Sequence, residues 1–203
     1  MRKNHHNANV FQTRIHGRGG QGVVTAAELL SVAAFYDGKF AQAFPSFGSE
    51  RTGAPVVAYA RFDDKPIRLR EPVLVPQALI IQDPTLLHQV NVFAGVEPDA
   101  YILINTKKTF AELGIEELAD SEFEYRRLTV PATDFALRHV GRPLPNAALL
   151  GGYAAATRQV ALESVLRAIR ERFPAKIAEA NIMAAQEAYE FVRAEKVEAM
   201  THA

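Results

Sequence analysis

Among its 203 residues the chain has no cysteine. That excludes disulfides and thiolate ligation, and with them an iron–sulfur cluster held by this chain alone. An excess of charge of one sign is missing too, because 23 basic side chains balance 23 acidic ones. No net field draws the molecule to nucleic acid or an anionic membrane, so any partner must be recognised locally. No apolar run approaches the roughly 18 residues of a membrane span, and the opening MRKNHHNANVF lacks the apolar core of a signal peptide. The expectation is a cytoplasmic protein. His5 and His6 lie in a polar N-terminal tail, residues 1–12, and the other histidines show no ligand spacing, so no metal site is expected.

What is present is core-forming material. Hydrophobic residues make up 48% of the chain, enough for one domain of moderate size, expected over residues 13–195 and followed by a short tail at 196–203. The first two thirds alternate strand and helix signals. VFQTRIH predicts a strand and residues 22–36 a largely buried helix. APVVAYARF (54–62), ALIIQ (78–82), YILIN (101–105) and EYRRLTV (124–130) predict further strands, ALIIQ and YILIN being the continuous apolar runs that parallel sheets bury on both faces. Asp83 stands where a cap should, with Pro84 at a first helical position, and PATDFALRHVG begins with proline and ends with glycine.

From about residue 146 the pattern is helical throughout. Asn146 is placed to cap one helix, Val165, Leu166, Ile169 and Phe173 line a second, and Pro174 stops it. In the last helix Ile177, Ala184, Ala188 and Phe191 fall near one face. No linker separates these helices from the strands. The expected fold is therefore α/β, a Rossmann-like domain with a mostly parallel sheet flanked by helices and a helical C-terminal part.

Two segments attract functional attention. Gly17, Arg18, Gly19, Gly20, Gln21 and Gly22 form a turn in which Gly17, Gly19 and Gly22 fit G-x-G-x-x-G between a strand and a helix. In that setting a phosphate can approach backbone N–H groups and the positive helix end. A dinucleotide site also needs an acid about 20 residues further on to hold a ribose hydroxyl. Asp37 comes too early for that role and Glu50 too late, and no Gly-Lys-Ser/Thr follows to make a P-loop. Tight packing of helix on strand and nucleotide binding both remain open for the turn. The second segment, FPSFGSERTGAP (44–55), reads as a loop in which Ser49, Glu50, Arg51, Thr52 and Gly53 offer polar groups among aromatics. A solvated turn with a local Glu50–Arg51 pair is the simpler alternative. His16 reads as a strand-end residue with a local hydrogen bond, and no complete catalytic constellation is visible around it or Glu50.

Several motifs in register carry a resemblance. They are RIHGRGGQGVVTAAELLSVAA, FPSFGSERTGAPVVAYARFDDKPI, INTKKT, VPATDFALRHVGRPLPNAALLGGYAAAT and ANIMAAQEAYEF, in order from about residue 13 to 192. Together they resemble the gamma subunit of the 2-oxoacid:ferredoxin (acceptor) oxidoreductases, the pyruvate synthase and phenylglyoxylate dehydrogenase type. The resemblance implies a hetero-oligomeric enzyme that oxidatively decarboxylates a 2-oxoacid to an acyl-coenzyme A and CO2. It implies thiamine diphosphate with Mg2+ on alpha and beta subunits, [4Fe-4S] clusters on a delta-type subunit and often on beta, and electron transfer to ferredoxin, or to NAD through FAD in an NAD-linked version. Pyruvate is the default substrate, with an aryl oxoacid such as phenylglyoxylate as the runner-up. In this chain itself no catalytic residue and no bound cofactor is expected, which agrees with the absence of cysteine and of a Gly-Asp-Gly with a following Asn-Asn pair. The glycine turn and the Ser49–Gly53 loop are expected to meet at the carboxyl end of the sheet, as contacts for partner subunits or coenzyme A. The alternative is a stand-alone Rossmann-type nucleotide-binding module or enzyme.

Overall fold

A computed structural model describes residues 10–46, 52–118 and 122–202. Its centre is a six-stranded sheet built from β1 (Phe11–Arg18), β2 (Phe40–Pro45), β3 (Pro55–Asp63), β4 (Ala78–Ile81), β5 (Tyr101–Asn105) and β6 (Arg127–Val130), in the order β2-β3-β1-β4-β5-β6. Strands β1, β4, β5 and β6 run parallel, Ile15 standing opposite Ile80 and Ile80 opposite Leu103. The β2–β3 pair is antiparallel and joins the other flank of β1, with Ile15 opposite Ala58.

Among the described residues five α-helices complete the fold: α1 (Val23–Tyr36), α2 (Ala132–Val140), α3 (Asn146–Thr157), α4 (Leu162–Arg172) and α5 (Ala175–His202). Side chains of all five join one apolar cluster with Ile15, Ala58, Ala60, Ile80 and Leu103 of the sheet. The alternate residues Leu79, Ile81, Ile102 and Ile104 point to the opposite face and pack on Leu86, Val92 and Phe110 instead. Burial on both faces is why β4 and β5 read as unbroken apolar runs. Their second face, however, is roofed by loops and short 3-10 turns rather than α-helices.

On the helical face, α3 is buried along its whole length. Gly152 abuts Leu103, Val130 and Val192, and Thr13 and Tyr153 share a buried hydroxyl hydrogen bond of 2.7 Å that ties β1 to α3. Gly151 is required by a close approach of α5, since a Cβ there would stand 1.9 Å from the carbonyl oxygen of Ala185. Small residues on both helices let the backbones touch.

The roof of the opposite face holds itself together differently. Loops leave carbonyl oxygens without ladder partners, and a buried carbonyl needs a donor. Three arginines supply them. Arg14 donates to the carbonyls of Val92 (2.9 Å) and Ala94 (2.6 Å). Arg61, 1% exposed, donates to Glu71 O and to Gln12 Oε1 (2.9 Å). Arg127 donates to Pro98, Ala100 and Leu118 carbonyls. Burial lowers all three guanidinium pKa values from the ordinary one.

Several expectations shift. Phe44 and Pro45 belong to β2 rather than to a loop, and Glu124–Arg126 is a 3-10 turn ahead of β6. Pro84–His88 is likewise a 3-10 turn. Phe11 and Gln12 are part of β1, and α5 continues beyond residue 195 to His202, so neither proposed tail boundary coincides with an element's end; residues 1–9 lie outside the described ones. Ile177 is 47% exposed, away from the buried face of Ala184 and Ala188. Asn146 makes no capping hydrogen bond, because Pro145 occupies the cap position and Asn146 is already inside the helix.

Candidate functional site: the carboxyl edge of the parallel strands

β1 ends in Gly17 and Arg18, and the chain reverses at once into α1. The reversal is closed by Gln21 N–H donating to Arg18 O (3.0 Å) and by Arg18 N–H donating to Gln21 Oε1 (2.7 Å). Gly22 precedes α1 in the left-handed conformation, φ +72°, and a Cβ on it would meet Asn146 Nδ2 at 2.7 Å. The backbone conformation there disfavours a side chain, which would also have to displace the Asn146 amide. Among the described residues no side chain caps α1, and its first N–H groups lack partners within the helix.

The second segment does reach this turn. Gly19 forms a bridge to Thr52, its N–H donates to Ala54 O (2.9 Å), and Gly53 N–H donates to Gly19 O (3.1 Å). Thr52 and Gly53 are thereby brought to the glycine turn, whereas Ser49, Glu50 and Arg51 lie outside the described residues.

Arg18 is the hub of the edge. Nε pairs with Asp83 Oδ2 (3.0 Å), Nη1 donates to Gly53 O (3.0 Å), and Nη2 donates to Thr85 Oγ1 (2.7 Å) and Gln89 Oε1 (2.9 Å). Every nitrogen of the guanidinium has an acceptor inside the chain. Asp83 is the matching anchor: besides Arg18 it receives Gln21 Nε2 (3.0 Å) and, as the expected cap, Thr85 N–H (3.0 Å). Burial alone would raise its carboxyl pKa, but the Thr85 and Gln21 hydrogen bonds and the Arg18 charge outweigh it and hold the carboxyl below its ordinary value.

Beneath the turn sit two polar side chains, one read from the sequence as a strand-end histidine and the other not singled out there. His16 is buried with Nε2 lacking a hydrogen-bond partner among the described residues. Burial, assisted by the Arg14 charge, lowers its pKa to about 4. Gln82 is 1% exposed, and neither atom of its amide has a partner among the described residues. It lies against Gly17, while its carbonyl receives Asn105 Nδ2 (2.8 Å), and Asn105 Oδ1 accepts Thr133 N–H (3.0 Å) at the start of α2. Only position would have signalled these groups: each lies in the last residues of a core strand or just after it, at the carboxyl end, where open α/β sheets gather ligands and partners.

The edge departs from a dinucleotide site in its strands as well as its residues. The strand after α1, β2, does not lie beside β1, because antiparallel β3 intervenes. An acid at its end would stand two strand spacings, roughly 10 Å, from the turn. Asp37 serves a different element, accepting Ala161 N–H (2.7 Å) and the Ser164 hydroxyl and so capping α4. Among the described residues no group of three or more His, Asp or Glu side chains is arranged to hold a metal. With no cysteine in the sequence, the donor set does not fit an iron–sulfur cluster either.

The family model described as pyruvate ferredoxin/flavodoxin oxidoreductase matches residues 12–191. The pyruvate synthase subunit PorC of Methanocaldococcus jannaschii is 48% identical over 180 residues, 89% of this chain and 96% of that one. The pyruvate/ketoisovalerate oxidoreductases common subunit gamma of Pyrococcus abyssi is 45% identical over 181 residues, again 89% and 96%. The crystal structure of the pyruvate oxidoreductase subunit PORC of Thermotoga maritima superposes with a TM-score of 0.75 at 34% identity, covering 90% of this chain and 96% of that chain. A glycine turn clamped by Arg18, on a sheet with one antiparallel flank and five helices on one face, thus sits in a full-length match to one kind of subunit: the chain belongs to the pyruvate ferredoxin/flavodoxin oxidoreductase family, as a gamma-type subunit of an oxidoreductase acting on an oxo group.

Proposed function

We propose that this chain is the shape-giving gamma subunit of a complex that converts pyruvate, coenzyme A and an oxidised acceptor into acetyl-coenzyme A, CO2 and reduced acceptor. The observation that carries this is the collinear match to PorC subunits over nearly the whole of both chains. In this proposal alpha and beta subunits hold thiamine diphosphate with Mg2+, which supplies the carbon chemistry, and a delta-type subunit holds [4Fe-4S] clusters that pass electrons to ferredoxin. NAD reduced through FAD, and an aryl oxoacid in place of pyruvate, are the variants of this scheme. Residues 13–195 would form the functional domain, working in the cytoplasm.

Within that scheme the carboxyl edge is a docking surface. Gly17, Arg18, Gly19, Gly20, Gln21 and Gly22 present a fixed turn, and Thr52 and Gly53 are stitched to it. Arg18 holds its own chain rather than a ligand, since all its nitrogens are engaged. Coenzyme A contact at the turn is the second reading, and the uncapped start of α1 favours it, because a phosphate is stabilised at such an end. Replacing Gly19 with Phe in the co-expressed complex separates the two. A docking surface loses the gamma subunit on purification, followed by native mass measurement. A coenzyme A site instead keeps the complex intact and shows a raised KM for coenzyme A, also in Arg18→Ala.

A further inference from the structure

The two edges of the sheet differ in protection. β6 is four residues long and mostly buried, whereas β2 is the outermost strand on its side, partly exposed along its length, and carries no charged side chain from Phe40 to Pro45. Its register with β3 runs without a bulge. Proteins usually blunt such an edge with charge or a bulge, because its free N–H and C=O groups invite a further strand.

The backbone fixes which groups of β2 are free. Ser46 N–H donates to Val57 O (2.8 Å) in the same register that pairs Phe44 with Tyr59 and Gln42 with Arg61, so the even-numbered residues turn their N–H and C=O groups toward β3. Ala41 and Ala43 turn theirs outward. The next positions offer no free donor: Pro45 has no N–H, and Lys39 N–H is bonded to Ala34 O (3.0 Å). Residues 40–44, FAQAF, also read the same in both directions. An antiparallel copy of the strand centred on Gln42 therefore sets Ala41 opposite Ala43 of the second copy and Phe40 opposite Phe44. In that register the outward donors and acceptors of Ala41 and Ala43 satisfy one another reciprocally.

The helical layer agrees with that pairing. α1 lies over β2 and β3, half a strand spacing or ~2.4 Å inside the edge. Two β2 edges paired at ~4.8 Å put the two α1 axes about 10 Å apart, a distance at which helices pack. The stripe of α1 on that side is apolar and open: Phe35 is 69% exposed and Val32 38%, and with Phe40, 48% exposed, they line a groove of about 500 Å³ beside the edge. Over two copies these three side chains offer on the order of 600 Å² of apolar surface, close to the apolar share of a small stable interface. We propose that β2 and α1 form a two-fold interface with a second copy of this chain, joining the two sheets into one. This surface is independent of how the carboxyl edge is used.

Sedimentation equilibrium of the full chain should show a dimer. Ala43→Pro removes one outward N–H per copy and leaves the bonds to β3 in place, so it should weaken the dimer by about tenfold or more. Phe35→Glu sets like charges in the helix contact and should act in the same direction, with circular dichroism confirming that both variants fold. The chain has no cysteine, so Gln42→Cys introduces a lone thiol at the two-fold axis, where mild oxidation should give a disulfide-linked dimer. Met183→Cys, exposed on α5, should not cross-link under the same conditions. A chain that is monomeric throughout overturns the proposal, and so does one that stays monomeric while Ala43→Pro loosens only its hold on other subunits of the complex, since the edge then serves a different partner. A dimer that neither Ala43→Pro nor Phe35→Glu weakens, or in which Gln42→Cys cross-links no faster than Met183→Cys, overturns it as well.

Discussion

The two faces of the sheet are closed by opposite means. On the helical face, alanines and glycines let backbones approach until Gly151 touches the Ala185 carbonyl, and hydrogen bonding is settled inside each helix. On the roofed face, loops bring unpaired carbonyls into the interior and Arg14, Arg61 and Arg127 reach across to satisfy them. The first solution draws its stability from packing, which is unforgiving of added volume. The second accepts the desolvation of three charges in exchange for donors that can span irregular backbone. Tolerance to substitution should therefore differ in kind between the faces: excess volume breaks one, loss of a donor breaks the other.

The sharpest way to break this contrast is Gly151→Ala. One methyl group meets a backbone carbonyl at 1.9 Å, and neither helix can yield without separating from its partner. The expected cost is about 3 kcal/mol or more, read as a lower midpoint in urea unfolding. A near-neutral result would mean that the helical face is far looser than it looks.

A second test uses acid. His16 stands on the roofed face, and its folded pKa is depressed from 6.5 to about 4. The unfolded chain therefore binds the proton more readily between these values, so stability falls as pH drops from 6.5 toward 4. The histidine accounts for on the order of 3 kcal/mol at most across that window. In His16→Gln the slope of stability against pH over the window should shrink, while stability at neutral pH changes little. An unchanged slope would place the proton elsewhere.

The mildest effect is expected from Arg14→Met. The substitution removes a desolvated charge, which helps, but it strands the Val92 and Ala94 carbonyls, which costs more. The net loss should be about 2 kcal/mol and should be local. Hydrogen exchange ought to quicken in residues 90–97 while α3 and α5 stay protected. Equal acceleration in both faces would show that the roof and the helical layer open together.

The same contrast explains what was legible beforehand. Continuous apolar runs located β4 and β5, and the glycine turn located the end of β1, because those signals are local. β2 escaped because FAQAFP is a half-exposed edge strand that merges in composition with the loop behind it. Asn146 carried the residue type of a cap, but the neighbouring proline took that position, and its amide turned toward Gly22 instead. At the edge, the clamp from Arg18 to Asp83, Thr85 and Gln89 joins residues more than sixty positions apart, so nothing in local spacing announces it. The antiparallel β3 was equally silent, since strand direction is fixed by topology and not by the residues within the strand.

α5 has a mechanical consequence. It runs unbroken from Ala175 to His202, a rod of roughly 40 Å at 1.5 Å per residue. Its Ala185 carbonyl lies against Gly151 of α3, and further along Lys196 reaches the Ala156 carbonyl at the end of that helix. A stiff shaft pinned against α3 cannot tilt at its root without sweeping its tip. A load at one end of the helix is therefore carried to the other by the shaft itself, without a single intervening side chain having to move in relay.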